Sequence, residues 1–115
     1  MSDLTEIREA QRTFIAERDW QRFQDPKSLL LALVGEVGEV AELVQWLPAD
    51  TAREQLREGR LHQRISEELA DVLVYLVGLA DQCGVDLHTS ALDKIAASSE
   101  KYPVHAHRGV APDRR

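Results

Sequence analysis

The chain is short of several residue types, and each shortage excludes a class of chemistry. It has one cysteine, Cys83, so an internal disulfide framework and a cysteine-rich zinc site are both excluded. Cations are outnumbered, 14 Lys and Arg against 20 Asp and Glu, for a net charge of -6. That balance argues against binding to a nucleic-acid polymer or to an anionic membrane surface. The longest apolar runs, Leu29–Val34 and Val72–Val77, fall far short of the ~20 residues that span a bilayer. No glycine-rich loop precedes a helix, which removes P-loop chemistry. No local Ser–His–acid motif is present either. Aromatic residues are few: Phe14, Trp20, Phe23, Trp46, Tyr75 and Tyr102.

What remains is an apolar, acidic chain of 115 residues, 43% hydrophobic. That composition suits one globular domain, near the lower end of what builds a good core unaided. Met1 to Glu9 is charged throughout, so no signal peptide is read there. With its single free thiol, the chain is expected in a reducing, cytoplasmic compartment.

Four long helical segments are expected. Asp3 and Glu6 resemble a capping box, and Leu4, Ile7, Ala10 and Phe14 follow at helical spacing to about Arg18. After a connector, Asp25-Pro26 starts a second helix that runs to about Trp46. Leu47-Pro48 ends it. Ala49–Arg60 has room for a short helix closed by Gly59, and a third long helix covers Leu61–Cys83 with Gly84 as its stop. Asp86 caps the fourth, which ends before Tyr102-Pro103. The domain is therefore expected over residues 1–103, with a disordered tail over 104–115. No segment alternates with period two, so the fold class is all-α, a four-helix bundle. The run Val72–Val77 is apolar on every side of its helix, and such a helix is buried all round. One bundle of this size cannot bury it completely, so an obligate oligomer is expected.

The informative residues are the carboxylates that interrupt the two most apolar helices. LLLALVGEVGEVAELVQWL carries only Glu36, Glu39 and Glu42; ISEELADVLVYLVGLA carries Glu67, Glu68 and Asp71. Glu36 and Glu39 are three apart and share a face, and Glu68 and Asp71 repeat the spacing. No Lys or Arg occurs between Lys27 and Arg53 or between Arg64 and Lys94. Only Arg64 and Glu68 form a local pair. Four carboxylates facing one another across two apolar helices ask for an external cation. An all-oxygen set suits Mg²⁺ or Mn²⁺ better than zinc. Gly35 and Gly38 each cost about 1 kcal/mol relative to Ala inside a helix, and small residues there let a metal, a phosphate or a neighbouring helix approach. The competing reading is a solvated acidic stripe.

ExxE, 28 intervening residues, then ExxD resembles the signature of the MazG-like all-α nucleoside triphosphate pyrophosphohydrolases. ERDWQRFQDPKSLLLALVGEVGEVAELVQW, EELADVLVYLVGLADQCGVDL and KYP are similar to the dCTP pyrophosphatase branch of that superfamily, over about Ile7 to Pro103. The resemblance implies Mg²⁺-dependent cleavage between the α and β phosphates, giving a monophosphate and pyrophosphate. It implies metal binding by Glu36, Glu39, Glu68 and Asp71, with Glu39 as the general base; geometry alone cannot separate Glu39 from Glu36. It also implies a bundle that dimerises, or a tetramer built as a dimer of dimers, with pockets shared between chains. Trp20, Trp46 and Phe14 are placed at the nucleoside, and Tyr75 at the sugar. Lys94 and Lys101 match the phosphate-binding positions best, with Lys27 and Arg22 as further candidates. Two departures stand out. Many relatives carry Asn where this chain has Ser98, and vertebrate dCTP-preferring relatives have His near the position of Gln11.

A pyrimidine triphosphate such as dCTP or a modified dCTP is thus the expected substrate, in nucleotide-pool house-cleaning. The rival reading is a helical oligomer that senses nucleotide and metal without turnover. His105 and His107 lack companion ligands for a metal site. Cys83, at a helix end, is expected to be a small buried residue.

Overall fold

The computed structural model describes residues 3–112, and no strand occurs among them. The order is α1 (Asp3–Glu17), a 3₁₀ turn (Gln21–Phe23), α2 (Pro26–Val44), α3 (Ala52–Leu56), α4 (Gly59–Gln82), α5 (Leu87–Lys101) and α6 (Val104–His107). The all-α class is as expected.

Local chemistry sets most boundaries. The Asp25 carboxylate accepts a hydrogen bond from the Ser28 backbone N–H at 2.9 Å, and Pro26 fills the first helical position of α2. That backbone bond, with the other N–H groups of the turn, holds the Asp25 carboxyl below its usual range. Asp86 caps α5 in the same way, through the Thr89 N–H at 3.1 Å. α4 closes at Gly84, whose φ of 67° is the left-handed conformation glycine tolerates. There Val85 N–H donates back to the Ala80 carbonyl at 2.9 Å, the six-to-one bond of a Schellman close. Gly59, at φ 64°, is the first residue of α4, so this helix begins two residues before the expected Leu61. α2 stops at Val44 rather than Trp46. Leu47 is barred from helical geometry by Pro48 and donates to the Val44 carbonyl in a tight turn.

α2 and α4 form the principal packing pair, and α1 and α3 lie against α4. The buried apolar residues are Leu29 from α2 and Ile65, Val77 and Ala80 from α4. α1 is clamped to α4 by Arg12, whose Nε donates to Asp81 Oδ2 at 2.9 Å. That guanidinium holds the Asp81 carboxyl below its usual range.

α5 touches the rest of the chain only sparsely and does not close a four-helix bundle. The radius of gyration is 17.5 Å, with extents of 51 × 37 × 28 Å. A compact chain of this length has a radius near 13 Å. The Val72–Val77 run is not buried all round in one chain either: Val77 is buried, while Val74 and Leu76 are exposed. Leu31 and Val34 on α2, and Leu92 and Ile95 on α5, are more than half exposed. Cys83 is exposed, not buried, because it follows the last turn of α4 beyond its packed face. Past Pro103, where no ordered structure is expected, the chain forms the single turn of α6, with the His107 ring edge-on to Tyr102 at 5.3 Å. The expectation for 113–115 lies outside the described residues, as does the start of the charged segment at Met1 and Ser2. No helix among the described residues is long and apolar enough to cross a membrane.

Candidate active site

Helical periodicity places Glu36 and Glu39 on the face of α2 that meets α4, where Glu68 stands. One oxygen from each of Glu36, Glu39 and Glu68 lies within 4.8 Å of the others. Asp71, one turn further along α4, falls outside this tight trio but stays within its electrostatic reach. Two oxygens, Oε2 of Glu36 and Oε2 of Glu68, are buried without a hydrogen-bond partner. Desolvation raises the Glu36 pKa above its ordinary value, with the charges of Glu39 and Asp71 adding to it. The Glu68 pKa is raised first by the adjoining Glu39 carboxyl, then by desolvation and by the charges of Glu39, Asp71 and Glu36.

Among the described residues, no ion pair reaches this cluster. The ion pairs among the described residues are Arg8–Glu9, Arg12–Glu9 and Arg12–Asp81. The expected Arg64–Glu68 pair is not formed; both residues only line the same groove. Orphaned, buried carboxylate oxygens in an all-oxygen set fit a hard divalent cation.

Two clefts flank the acids. One is a groove of about 530 Å³ lined by Glu39, Glu42, Gln45, Trp46, Arg64 and Glu68. Trp46 stands at its rim and is 86% exposed. The other, of about 230 Å³, is walled by Phe14, Trp20, Tyr75 and Val74, with Gln11, Gln24 and Asp71 also facing it. There the Phe14 and Trp20 rings meet edge to face at 5.8 Å, and the Arg18 guanidinium covers Phe14 at 3.7 Å. Trp20 and Trp46 therefore sit in different clefts. Within one chain they do not form a single nucleoside pocket.

Lys94 and Ser98 on α5, and Lys101 at its end, line neither cleft. Nor do Lys27 and Arg22; Arg22 instead covers the Phe23 ring. Lys101 stands over the Tyr102 ring at 5.4 Å. The sequence reading misses Gln24 and Val74 as cleft residues, since neither carries a motif. It meets Gln11 only as a departure from relatives.

The sequence profile described as the MazG nucleotide pyrophosphohydrolase domain matches residues 24–108. The chain belongs to the MazG nucleotide pyrophosphohydrolase family. Within that family it is 49% identical to bovine (Bos taurus) dCTP pyrophosphatase 1 over 108 residues, covering 94% of this chain and 64% of that protein. It is 48% identical to the human (Homo sapiens) dCTP pyrophosphatase 1 over 105 residues, covering 91% of this chain and 62% of that protein. The chain thus spans just under two thirds of the curated relatives it matches. A solved pyrophosphatase from Archaeoglobus fulgidus DSM 4304 superposes with a TM-score of 0.80 at 31% identity, covering 90% of this chain and 94% of that one. In this MazG-family chain, Glu36, Glu39, Glu68, Asp71, Trp46 and Tyr75 all fall inside the profile match.

Proposed function

We propose that this chain hydrolyses a nucleoside triphosphate between the α and β phosphates, releasing the monophosphate and pyrophosphate. dCTP or a modified dCTP is the preferred substrate, and the setting is nucleotide-pool house-cleaning. The observation that carries the reading is the trio Glu36, Glu39 and Glu68, with its two buried oxygens left without partners between two nucleotide-sized clefts.

Glu36, Glu39 and Glu68, with Asp71 one turn away, would hold Mg²⁺, or Mn²⁺ in its place. When bound, such a cation offsets the repulsion between acids and triphosphate and stabilises charge on the phosphate oxygens during in-line displacement. Glu39 takes the proton of the attacking water: it is the exposed member of the trio, while Glu36 and Glu68 are half-buried. Phe14 and Trp20 wall the base, and Tyr75, one turn past Asp71, contacts the sugar. Trp46 closes over the nucleoside of a pocket shared between two copies. Lys94, Ser98 and Lys101 stand apart from the acids within one chain, so a second copy delivers them to the phosphates.

Pyrophosphate release across a panel of ribo- and deoxynucleoside triphosphates tests the reading. Mg²⁺-dependent release with highest kcat/KM for dCTP or a 5-substituted dCTP is expected. Binding without turnover of any triphosphate would instead establish a nucleotide sensor.

A further inference from the structure

α1 brings Phe14 to the aromatic-walled cleft from outside the region that the MazG profile matches. None of its residues is fully buried, so no core side chain pins it. Its fastening to α4 is polar. Arg12 Nε donates to Asp81 Oδ2 at 2.9 Å, and Arg12 Nη2 donates to Asp81 Oδ1. The planar guanidinium thus meets both carboxylate oxygens, a two-point contact that fixes orientation as well as distance. Arg12 is preset for it on its own helix, where Nη1 donates to Glu9, one turn earlier, at 3.1 Å. Asp81 is 20% exposed, and Arg12 is its ion-pair partner among the described residues.

The pair stands outside the aromatic cleft. Arg12 and Asp81 line a separate groove of about 250 Å³ with Arg8 and Gly84, while Phe14, Trp20, Val74 and Tyr75 line the aromatic one. Asp71, Tyr75, Gly78 and Asp81 recur at helical spacing and share one face of α4. Between Tyr75 and the clamp, Gly78 lets α1 close in: a Cβ there would stand 2.9 Å from the Gln11 side chain.

We infer that Arg12 and Asp81 are positioning residues whose ion pair sets how near α1 stands to α4, and so the width of the aromatic cleft. The inference rests on the proposed nucleotide site and names what holds its base wall at working distance. Phe14 lies two residues after Arg12, and Tyr75 six before Asp81. A lift or rotation of α1 at the clamp is therefore carried directly to the gap between the walls. Dispersion contacts are lost within a fraction of an ångström to an ångström of added separation, so a base held between those walls is sensitive to that gap. The acidic trio belongs to α2 and α4 and takes no residue from α1. The clamp thus bears on the base and not on the phosphates.

The test compares the parent, Arg12→Gln, Asp81→Asn and the double variant. Asp81→Asn keeps the shape and removes the charge, and it reads the clamp on its own should Arg12→Gln fold poorly. Hydrogen exchange resolved by peptide should quicken in α1 while α2 keeps the parental pattern. By tryptophan fluorescence, dCMP should bind each single variant about five-fold more weakly, the upper range for a partly exposed ion pair. KM for dCTP should rise with kcat little changed. Calorimetric titration with inorganic triphosphate and Mg²⁺ should give the parental affinity. The double variant should be no worse than either single one, since all three remove the same contact. Parental dCMP affinity in both single variants, additive losses in the double variant, or equal losses for dCMP and inorganic triphosphate would overturn the inference. So would unchanged exchange in α1. Weakened dCMP binding in the variants of a protein with no triphosphate turnover would uphold it while removing the proposed enzyme activity.

Discussion

At the scale of single residues, the acids of α2 and α4 join stability to catalysis. Without metal, the carboxylates of Glu36, Glu39 and Glu68 repel one another and two of their oxygens lack partners. Glu39→Gln keeps the shape and removes one charge. Metal-free, the variant should melt at the parental temperature or above it. Added Mg²⁺ should stabilise it less, since ligand stabilisation follows RT ln(1 + [L]/Kd). Scanning calorimetry with and without Mg²⁺ checks this; an unchanged Mg²⁺ response would return Glu39 to a solvated stripe. The raised pKa of Glu68 gives a second prediction. A carboxyl whose folded pKa exceeds its unfolded value binds more protons when folded, so its contribution to stability falls as pH rises through that interval. In chelator, Glu68→Gln should match the parent at acid pH, where both side chains are neutral. It should become the more stable of the two as pH climbs through and above the carboxylate range. Melting curves across pH, showing the opposite trend or none, would contradict the coupling. These acids are legible in the sequence because charges spaced three apart inside otherwise apolar helices have few structural uses. The cleft residues Gln24 and Val74 are not, because their roles come from the packing of α1 and the connector against α4.

At the scale of elements, the contact between α2 and α4 carries the site. Leu29, near the start of α2, is 3% exposed and is that helix's buried apolar side chain. Leu29→Ala should destabilise the protein by about 2–5 kcal/mol, the usual cost of truncating a buried leucine. Denaturant unfolding monitored by circular dichroism would show it; a loss below about 0.5 kcal/mol would place the core elsewhere. Helix boundaries are readable where local chemistry decides them, as at Asp25-Pro26, Gly84 and Asp86. They are less readable where the next turn intervenes. Trp46 belongs by periodicity to α2, yet the Leu47-Pro48 step unwinds the helix at Val44 and leaves the ring 86% exposed. The Arg12–Asp81 clamp joins residues 69 apart, and no sequence pattern announces it.

At the scale of the whole molecule, one chain leaves much apolar surface uncovered. α5 stands away from the core, and apolar side chains of α2, α4 and α5 face solvent. The chain buries too little apolar surface to be comfortable alone. Sedimentation velocity should therefore find dimers or tetramers and no substantial monomer at micromolar concentration. Ile95→Asp, which places a charge on the exposed face of α5, should shift the population toward smaller species. A fully active parental monomer would defeat the shared pocket.

The central claim is that the carboxylates between α2 and α4 serve metal-dependent cleavage at one particular phosphoanhydride bond. Phosphorus NMR of the products formed from dCTP addresses it most directly. With Mg²⁺, monophosphate and pyrophosphate should form in equal amounts, and chelator should abolish both. Glu68→Gln should reduce their rate by at least ~10²-fold, the scale of losing a key site group. Diphosphate with orthophosphate, or a parental rate in Glu68→Gln, would contradict the account.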